Sequence, residues 1–460
     1  MSGRGRARPD PARAAAYALL RAVHERQGYA NLVLPGLLRE RRLDARDAAF
    51  ATELGYGTLR AQGTLDAVLA ACVDRPLAAV DPALRLLLRL GAYQLLRTRV
   101  PPHAAVSSTV ELARAALGEG PAKFANAVLR RVAGRDLEGW LAELAPAYDV
   151  DPVGHLALAT SHPAWVVAAF RDALGGDLEQ TAAALAADDE RPQVHLVARP
   201  GRLSRDELLA ATASGGRPGP WSPYAVRLDG GDPGRLAPVR DGRAAVQDEG
   251  SQLSALVLAR APVEGPDARW LDVCAGPGGK SGLLAGLAAD RHARLLAADR
   301  ALHRARLVRS TLARAPGGPA VVVADGTVPP WGPGAFDRVL LDAPCSGLGA
   351  LRRRPEVRWR RTPADVSALV PLQCALLESA LVALRPGGVV AYVTCSPHPA
   401  ETRAVVDAVV GDRRDVERLD VRPLLPGMPH LETGPDVQLW PHHHGTDAIF
   451  IALLRRRGRP

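Results

Sequence analysis

The sequence predicts an α/β protein in which a doubly wound parallel sheet follows a helical bundle and a small α+β segment. Apolar residues recur at helical spacing over the first third of the chain, and short Val- and Leu-rich runs alternate with helical stretches after residue 241. Several of these runs end in an aspartate. Because single hydrophobic cores stop growing well below 460 residues, we expect more than one domain.

Residues 8–140 are predicted to form an all-helical domain. Asp10-Pro11 is a favourable helix start, since aspartate caps the first turn and proline fits its backbone. The stretch DPALRLLLRLGAYQLL then places leucines at helical spacing. Pro101-Pro102 separates two such stretches, which is typical of a bundle of short helices.

Residues 150–240 give weaker patterns and predict a small mixed α/β linking domain. SHPAWVVAAFRDAL has helical spacing, whereas PQVHLVARP and YAVRL are typical of short strands between glycines and prolines.

Residues 241–460 are predicted to form the sheet domain. Its strand-like runs are ARWLDV, ARLLAAD, AVVVAD, DRVLLD and GVVAYVT, each separated from the next by a helical stretch or a turn. In an open parallel sheet, ligands bind beyond the carboxyl ends of the strands. We therefore expect the residues that follow these runs to form the functional site.

A glycine-rich turn, DVCAGPGGKSG, follows the first of these runs. Its glycines permit a tight turn and let a ligand approach the main chain. A phosphate-binding loop that ends in GKS would need glycine at position 274, which is Cys274, so nucleoside triphosphate binding is disfavoured.

Asp299 and Asp325 end the next two runs. A carboxylate at the position of Asp299 suits the two hydroxyls of a ribose, and Asp325 could accept from an exocyclic amine. Either aspartate could instead be a helix cap. The combination of strand-end acids with one glycine-rich turn is more specific than any single member.

The charge, the cysteine content and the distribution of apolar residues indicate which partners, cysteine chemistry and cellular location to expect. A formal charge of +9, carried almost entirely by arginine, favours a polyanionic partner, although genome composition can produce the same bias. Five scattered cysteines without a Cys-x-x-Cys pair predict reduced thiols rather than disulfides or a zinc site. With no signal peptide and no run of 18 apolar residues, we expect a cytoplasmic protein without a membrane partner.

Four stretches resemble the signature motifs of the RNA cytosine-5 methyltransferases that use S-adenosylmethionine: CAGPGGK, LLDAPCSGLGALRRRPEVRW, LQCALLESALVALRPGG and VTCSPHPAE. The helical front end, with ELGYGTLR, VPPHAAVSSTVELAR and KFANAVLRRV, resembles the NusB-type RNA-binding domain. Together they resemble the RsmB (Sun, Fmu) family of 16S rRNA methyltransferases over almost the whole chain. The resemblance implies a Rossmann-like S-adenosylmethionine-dependent sheet behind a NusB-like bundle.

The resemblance also implies roles for individual residues. It makes Cys395 the nucleophile and places the cofactor against Cys274, Ala275, Gly276, Pro277, Gly278, Gly279, Lys280, Asp299, Asp325 and Asp342. Gly276 departs from the family, whose members commonly have alanine there.

The chemistry explains why two cysteines are needed. Carbon 5 of cytosine becomes nucleophilic after a thiolate adds to carbon 6, and the carbon 5 proton must leave before the thiol is released. Asp342 is expected to assist at ring nitrogen 3 as a protonated carboxyl, which needs a raised pKa. Cys345 is the candidate for the release step, as base or through water. The residues alone leave open which cysteine attacks, and the choice of Cys395 depends on the family's Thr-Cys-Ser motif.

Three further features have weaker interpretations. The stretch RRRPEVRWRR, 352–361, could hold RNA phosphates, with Trp359 stacking, or be a solvated basic loop. The histidines 442–444 are expected to form a turn rather than a metal site. Cys72 and Cys374 are expected to be core residues.

The sequence therefore predicts a monomeric enzyme that methylates carbon 5 of an unpaired cytosine in 16S rRNA, with no metal. The same chemistry on tRNA or 23S rRNA is the alternative within this class. From another class, the chain could be a non-catalytic RNA-binding antitermination or assembly factor, but binding alone needs neither thiol.

Overall fold

The computed structural model describes residues 9–213, 215–411 and 413–458. The chain forms two compact units. The first contains the residues up to 190 together with Leu351–Arg360, and the second contains Arg191–Ala350 and the residues from 361 onward. The chain thus returns to the first unit for one short segment.

The described residues of the first unit form helices and connecting turns. Asp10 and Asp81 each cap a helix, because their side chains accept from the backbone N–H of Arg13 at 2.8 Å and of Leu84 at 2.9 Å. The predicted helix start at Asp10 is therefore confirmed. The helices are α1 (Pro11–Glu25), α2 (Ala30–Glu40), α3 (Ala45–Arg60), α4 (Gln62–Cys72), α5 (Pro82–Arg97), α6 (Pro102–Leu117), α7 (Glu119–Val132), α8 (Leu137–Leu144), α9 (Pro152–Ala159), α10 (Ala164–Ala173) and α11 (Leu178–Asp189).

The core of the first unit consists of leucines from several helices. Leu54, Leu87 and Leu129 are fully buried in one cluster, and Cys72 is buried with them, as expected of a packing residue. Residues 152–189, which we placed by sequence in a middle domain, belong to this helical unit. The division into three domains stays a prediction.

The basic segment Leu351–Arg360 packs within the first unit. It contains the one-turn helix Val357–Arg360, numbered α17 in chain order. The guanidinium of Arg358 is fully buried and donates to the carbonyl of Ser161 at 3.2 Å and to the carboxylate of Asp189 at 2.9 Å. A buried charge needs such partners, because burial removes its hydration.

The next two residues, Trp359 and Arg360, also contact the helices of the first unit. Trp359 covers Gly63, where an added Cβ would lie 2.5 Å from the indole ring. Arg360 donates to the carbonyls of Val23 and Gly28, each at 2.7 Å. Neither interpretation of RRRPEVRWRR holds for the fully buried Arg358, and Trp359 and Arg360 are half-buried in contacts with the first unit. For the exposed part of the stretch the interpretation stays a prediction.

The second unit begins with a small antiparallel sheet. Its strands are ordered β2-β3-β1-β4, and the strands predicted in PQVHLVARP and YAVRL are confirmed as β1 and β3. The elements are β1 (Val194–Ala198), α12 (Arg205–Ala211), β2 (Gly216–Pro218), β3 (Ala225–Leu228), α13 (Ala237–Arg240), β4 (Ala244–Val246) and α14 (Glu249–Arg260).

The large sheet of the second unit has the order β10-β12-β9-β8-β5-β6-β7 in the described residues, with β11 paired to β12. Strands β5 to β9 are parallel, whereas β12 is antiparallel to β9 and β10. The elements are β5 (Arg269–Asp272), α15 (Gly279–Ala289), β6 (Arg294–Asp299), α16 (Leu302–Leu312), β7 (Ala320–Val323), β8 (Phe336–Asp342), α18 (Pro363–Ala383), β9 (Leu384–Thr394), α19 (Arg403–Val410), β10 (Val416–Leu419), β11 (Val437–Gln438), α20 (Pro441–His444) and β12 (Phe450–Arg456).

Both faces of this sheet are covered. Trp270 and Leu340 are fully buried in one hydrophobic cluster, and their neighbours Leu271 and Leu341 are fully buried in another. Adjacent strand residues point to opposite faces, so the two clusters lie on the two sides of the sheet. This arrangement confirms the predicted doubly wound fold.

Helix α18 is long and apolar enough to cross a membrane by length and composition alone. In the structure Leu377 and Leu381 are fully buried in the cluster that covers one face of the sheet. Gln373 of the same helix is also fully buried. Helix α18 therefore buries one apolar face against the sheet, with 39% of its apolar window buried.

Candidate active site

The carboxyl ends of the parallel strands gather the predicted residues at one edge of the sheet. Asp272 ends β5, Asp299 ends β6, Asp342 ends β8, and Cys395 directly follows β9. Asp325 comes two residues after the end of β7. Parallel strands share the direction of their carboxyl ends, so the fold itself brings these residues to one edge.

The glycine-rich turn between β5 and α15 contacts the end of β6. The backbone N–H of Gly276 donates to Asp299 Oδ2 at 3.0 Å, and an added Cβ at Gly276 would lie 2.5 Å from that oxygen. Gly278 has φ of 107° and directly precedes α15, a conformation that favours glycine. The turn therefore leaves main-chain groups open where a ligand would approach.

Two buried acceptor atoms beside this turn, Asp272 Oδ1 and Gln247 Oε1, have no hydrogen-bond partner among the described residues. The Gln247 amide lies 3.8 Å from the place where a Cβ of Gly279 would stand. The first N–H groups of α15 have no side-chain cap in the described structure. An amino-acid head group fits this set, since its ammonium donates and its carboxylate accepts from helix N–H groups.

The structure is compatible with both roles predicted for Asp299 and Asp325, that of a ligand-binding carboxylate and that of a helix cap. Asp299 is buried, and its second oxygen accepts from the backbone N–H of Ala301 at 2.8 Å, as a helix-start residue would. Asp325 accepts from both the backbone N–H and the hydroxyl of Thr327, and these bonds lower its pKa. Each Asp299 oxygen keeps a second lone pair, and Asp325 keeps its Oδ2, which lies 3.8 Å from the Arg300 guanidinium. These contacts therefore leave acceptor capacity for a ligand.

Lys280 and Asp342 form an ion pair at the centre of this edge. The ammonium of Lys280 lies 2.7 Å from Asp342 Oδ2, and the lysine side chain is 12% exposed. Burial acts to lower the pKa of Lys280, but the charge of Asp342 and the hydrogen bond to it raise that pKa overall, and Cys395 adds to the increase. Lys280 is therefore a fixed positive charge near both Asp342 and Cys395.

The structure brings Cys345 and Cys395 together. Their Sγ atoms are 3.4 Å apart, within hydrogen-bonding range for sulfur. The hydrogen bond to Cys395 and burial raise the pKa of the Cys345 thiol well above its usual range. Burial also raises the pKa of Cys274. Cys345 therefore tends to keep its proton beside Cys395.

Two buried residues that we did not single out by sequence contact the loops of these cysteines. Gln373 Nε2 donates to the carbonyl of Pro344 at 2.8 Å. Glu401 accepts from the backbone N–H of Ser346 at 2.7 Å and is fully buried. Glu401 is part of the VTCSPHPAE stretch, so its position in the sequence already pointed to the site. The neighbouring residues, however, do not indicate that its carboxylate is buried.

The remaining candidates lie outside this cluster of contacts. Cys374 is partly buried against a hydrophobic cluster, as predicted. Both ring nitrogens of His444 have hydrogen-bond partners, which are the backbone N–H of Trp440 at 2.8 Å and the carbonyl of Pro429 at 2.9 Å. In the part of the chain that the structure describes, no group of three or more metal-binding side chains could hold an ion.

Comparisons with known proteins cover up to 98% of the chain. Residues 257–455 match the family model described as 16S rRNA methyltransferase RsmB/F, and residues 10–134 match the NusB family. A Mycobacterium tuberculosis protein, by name a candidate methyltransferase, is 58% identical over 98% of both chains. Ribosomal RNA small subunit methyltransferase B of Pseudomonas putida is 35% identical over 90% of this chain and 91% of its own. A crystal structure, PH0851, is 20% identical with a TM-score of 0.80, and covers 98% of this chain and 99% of that one, which shows the same fold.

Proposed function

Since the chain belongs to the RsmB/F family of 16S rRNA methyltransferases, we propose that it transfers a methyl group from S-adenosylmethionine to carbon 5 of a cytosine in 16S rRNA through a covalent cysteine adduct. The observation that carries this proposal is the pair of thiols, 3.4 Å apart, at the sheet edge that also holds the Lys280–Asp342 ion pair. Methylation by direct attack of the base would need neither thiol.

The proposed cofactor site lies along the glycine-rich turn. The N–H groups of α15 with Asp272 and Gln247 would hold the amino-acid part of the cofactor, Asp299 its ribose, and Asp325 its base. The adjoining positions are Cys274, Ala275, Gly276, Pro277, Gly278 and Gly279, with Lys280 and Asp342 at the reacting end. The chemistry that the bound cofactor supplies is an electrophilic methyl group.

Cys395 is the proposed nucleophile. Its thiolate sulfur forms a bond to carbon 6 of cytosine, and the electron pair of the ring double bond makes carbon 5 nucleophilic. The positive charge of Lys280 near Cys395 favours the thiolate. The choice of Cys395 over Cys345 follows the Thr-Cys-Ser motif at residues 394–396, which the family resemblance assigns to the nucleophile.

The Lys280–Asp342 pair is the proposed partner of ring nitrogen 3. Addition of the thiolate places negative charge on the ring, which a hydrogen bond or a proton at nitrogen 3 stabilises. From the sequence we expected a protonated Asp342 carboxyl in this role. Its contact with the Lys280 ammonium supports a shared role instead, in which the lysine proton is available to the ring through the carboxyl.

Cys345 is the proposed release group. After methyl transfer, a base must take the carbon 5 proton so that its electron pair re-forms the ring double bond and expels the sulfur of Cys395. Cys345 lies beside Cys395 and would act as that base after giving its own proton to water, so that the carbon 5 proton restores its thiol and one proton in total passes to solvent. Release returns both cysteines to their starting state.

The helical front end is the proposed RNA-binding part. We propose that residues 8–140 bind RNA, that 150–240 link them to the catalytic domain 241–460, and that the enzyme acts as a cytoplasmic monomer. The match of residues 10–134 to the NusB family supports the first of these assignments.

Bisulfite sequencing of rRNA from cells with and without this protein tests the function. We expect one 16S cytosine to lose its methyl group in the deletion. Loss of methylation at a tRNA or 23S rRNA site instead would show that one of these RNAs is the substrate. An unchanged methylation pattern would contradict the proposed activity.

The cysteine roles are tested with purified variants and cytosine-containing RNA. We expect Cys395→Ala to abolish transfer and Cys345→Ala to accumulate a protein–RNA adduct, while Cys72→Ala, a core cysteine of the first unit, accumulates none. Adduct accumulation in Cys395→Ala would reverse the two roles.

A further inference from the structure

A single buried carboxylate joins the two cysteine loops. Glu401 Oε1 accepts from the backbone N–H of Ser346 at 2.7 Å and from Gln373 Nε2 at 3.1 Å. Glu401 Oε2 accepts from the hydroxyl of Ser346 and from that of Ser396 at 2.7 Å. Hydrogen bonds to an ionised acceptor are stronger than neutral ones, and this carboxylate is fully buried.

The two serines place this contact one residue from each thiol. Ser346 follows Cys345, and Ser396 follows Cys395, so each loop is held immediately after its cysteine. The two serine hydroxyls are themselves 3.1 Å apart. Glu401 therefore contacts both loops directly after their cysteines, where a shift of either loop would change the distance between the sulfurs.

Other contacts limit the same loops without joining both serines. The backbone N–H of Gly349 donates to the carbonyl of Cys395 at 2.9 Å. Tyr392 donates its hydroxyl to the carbonyl of Glu401 at 2.8 Å, which holds the glutamate itself in place. The cysteines stand on loops, and a reactive pair on loops needs such support to keep its geometry.

We propose that Glu401 is a positioning residue that fixes Cys345 and Cys395 as a reactive pair. It acts through Ser346 and Ser396 and does not itself contact the reacting atoms. The inference rests on the proposed function for the roles of the two thiols. The geometric part, that one carboxylate sets the distance between the sulfurs, can be tested without any reaction on RNA.

The charge of Glu401 gives a second readout. The charged or titratable groups that face the Cys345 thiol are Cys395, Glu401 and Tyr392. The pKa of Cys345 is raised first by the hydrogen bond to Cys395 and by burial, with Glu401 adding to the increase. Glu401→Gln keeps the size of the side chain and one acceptor oxygen for the N–H donors, while its amide NH2 can donate to the serine hydroxyls in place of the second oxygen. Its main effect should therefore be a lower pKa for Cys345.

The variants are Glu401→Ala, Glu401→Gln and a matched control, Asp337→Ala. Asp337 is a buried carboxylate of the same unit that accepts from the backbone N–H groups of Ala268 and Arg269, at the opposite end of the sheet. For each folded variant we would measure cofactor affinity, kcat with 16S rRNA against pH, and the rate at which diamide, taking up two electrons and two protons, links Cys345 to Cys395.

We expect Glu401→Ala to lower kcat and the linking rate at least tenfold while cofactor affinity changes less than threefold. Glu401→Gln should keep the linking rate and shift the pH dependence of product release to lower pH. Asp337→Ala should lower stability and leave both rates within threefold of the wild type.

Equal linking rates in Glu401→Ala and the wild type would overturn the proposal, and so would equal losses in Glu401→Ala and Asp337→Ala. If the wild type methylates no RNA but Glu401→Ala still slows the linking reaction, the proposed function fails and the positioning role stands.

Discussion

Arg358→Ala tests the finding that the basic segment Leu351–Arg360 is part of the core of the first unit. The substitution removes a fully buried guanidinium that donates to the carbonyl of Ser161 and to the carboxylate of Asp189. It leaves Asp189 without this charged partner. The expected effect is a loss of stability in the helical unit.

The size of the loss follows from the burial of the pair. Removing one partner of a buried ion pair costs about 3–5 kcal/mol. The Arg358 side chain is 0% exposed, but that of Asp189 is 22% exposed, so water reaches the orphaned carboxylate. We therefore expect the lower end, about 3 kcal/mol. With a slope of about 2 kcal/mol/M, the urea midpoint would fall by about 1.5 M.

The assay is urea unfolding of the full chain followed by circular dichroism, with hydrogen exchange to locate the weakened helices at residues 152–189. Arg354→Ala is the matched control, because Arg354 is an exposed arginine of the same segment. We expect it to change stability by less than about 1 kcal/mol. Equal midpoints for the two variants, or a loss of RNA affinity in Arg358→Ala without a loss of stability, would refute this account.

Three further predictions concern the second unit. Lys280→Met should lower the rate of methyl transfer by roughly 100-fold in a single-turnover assay, because it removes the charge beside Asp342 and Cys395; an unchanged rate would exclude that role. Burial raises the pKa of Asp272 to about 7, so the stability linked to its protonated form is present at pH 4 and is lost as pH rises through 7. Asp272→Asn should therefore be relatively more stable than the wild type at pH 8, by at most about 4 kcal/mol, and identical pH profiles of unfolding would contradict the raised pKa. Gly349→Ala should destabilise the chain by about 1–3 kcal/mol in urea unfolding and slow methyl transfer, because the added Cβ would lie 1.9 Å from the carbonyl oxygen of Ala448. An unfolding midpoint equal to that of the wild type would show that the loop moves to accommodate the Cβ without cost.

Local sequence patterns predicted the elements because local physics forms them. The Asp-Pro cap at Asp10 and the alternation of apolar runs with helices each depend on neighbours within a few residues. The predicted strand-end aspartates Asp299 and Asp342 end their strands, and Asp325 comes two residues after its strand, since a parallel sheet places the carboxyl ends of its strands at one edge. Residues 152–189 fold with the helical unit, which their local helical pattern could not indicate, because such a pattern does not show which core a helix joins.

The sequence by itself determined the doubly wound sheet, the helical front end and the edge that carries the cysteines. Tertiary structure decided how the buried charges are paired. Arg358 reaches Ser161 from 197 positions away, Lys280 meets Asp342 across 62 positions, and Glu401 holds a serine 55 positions earlier. An isolated arginine or glutamate in a polar stretch is predicted to be solvated, because its burial is favourable only when distant partners replace the water that it loses.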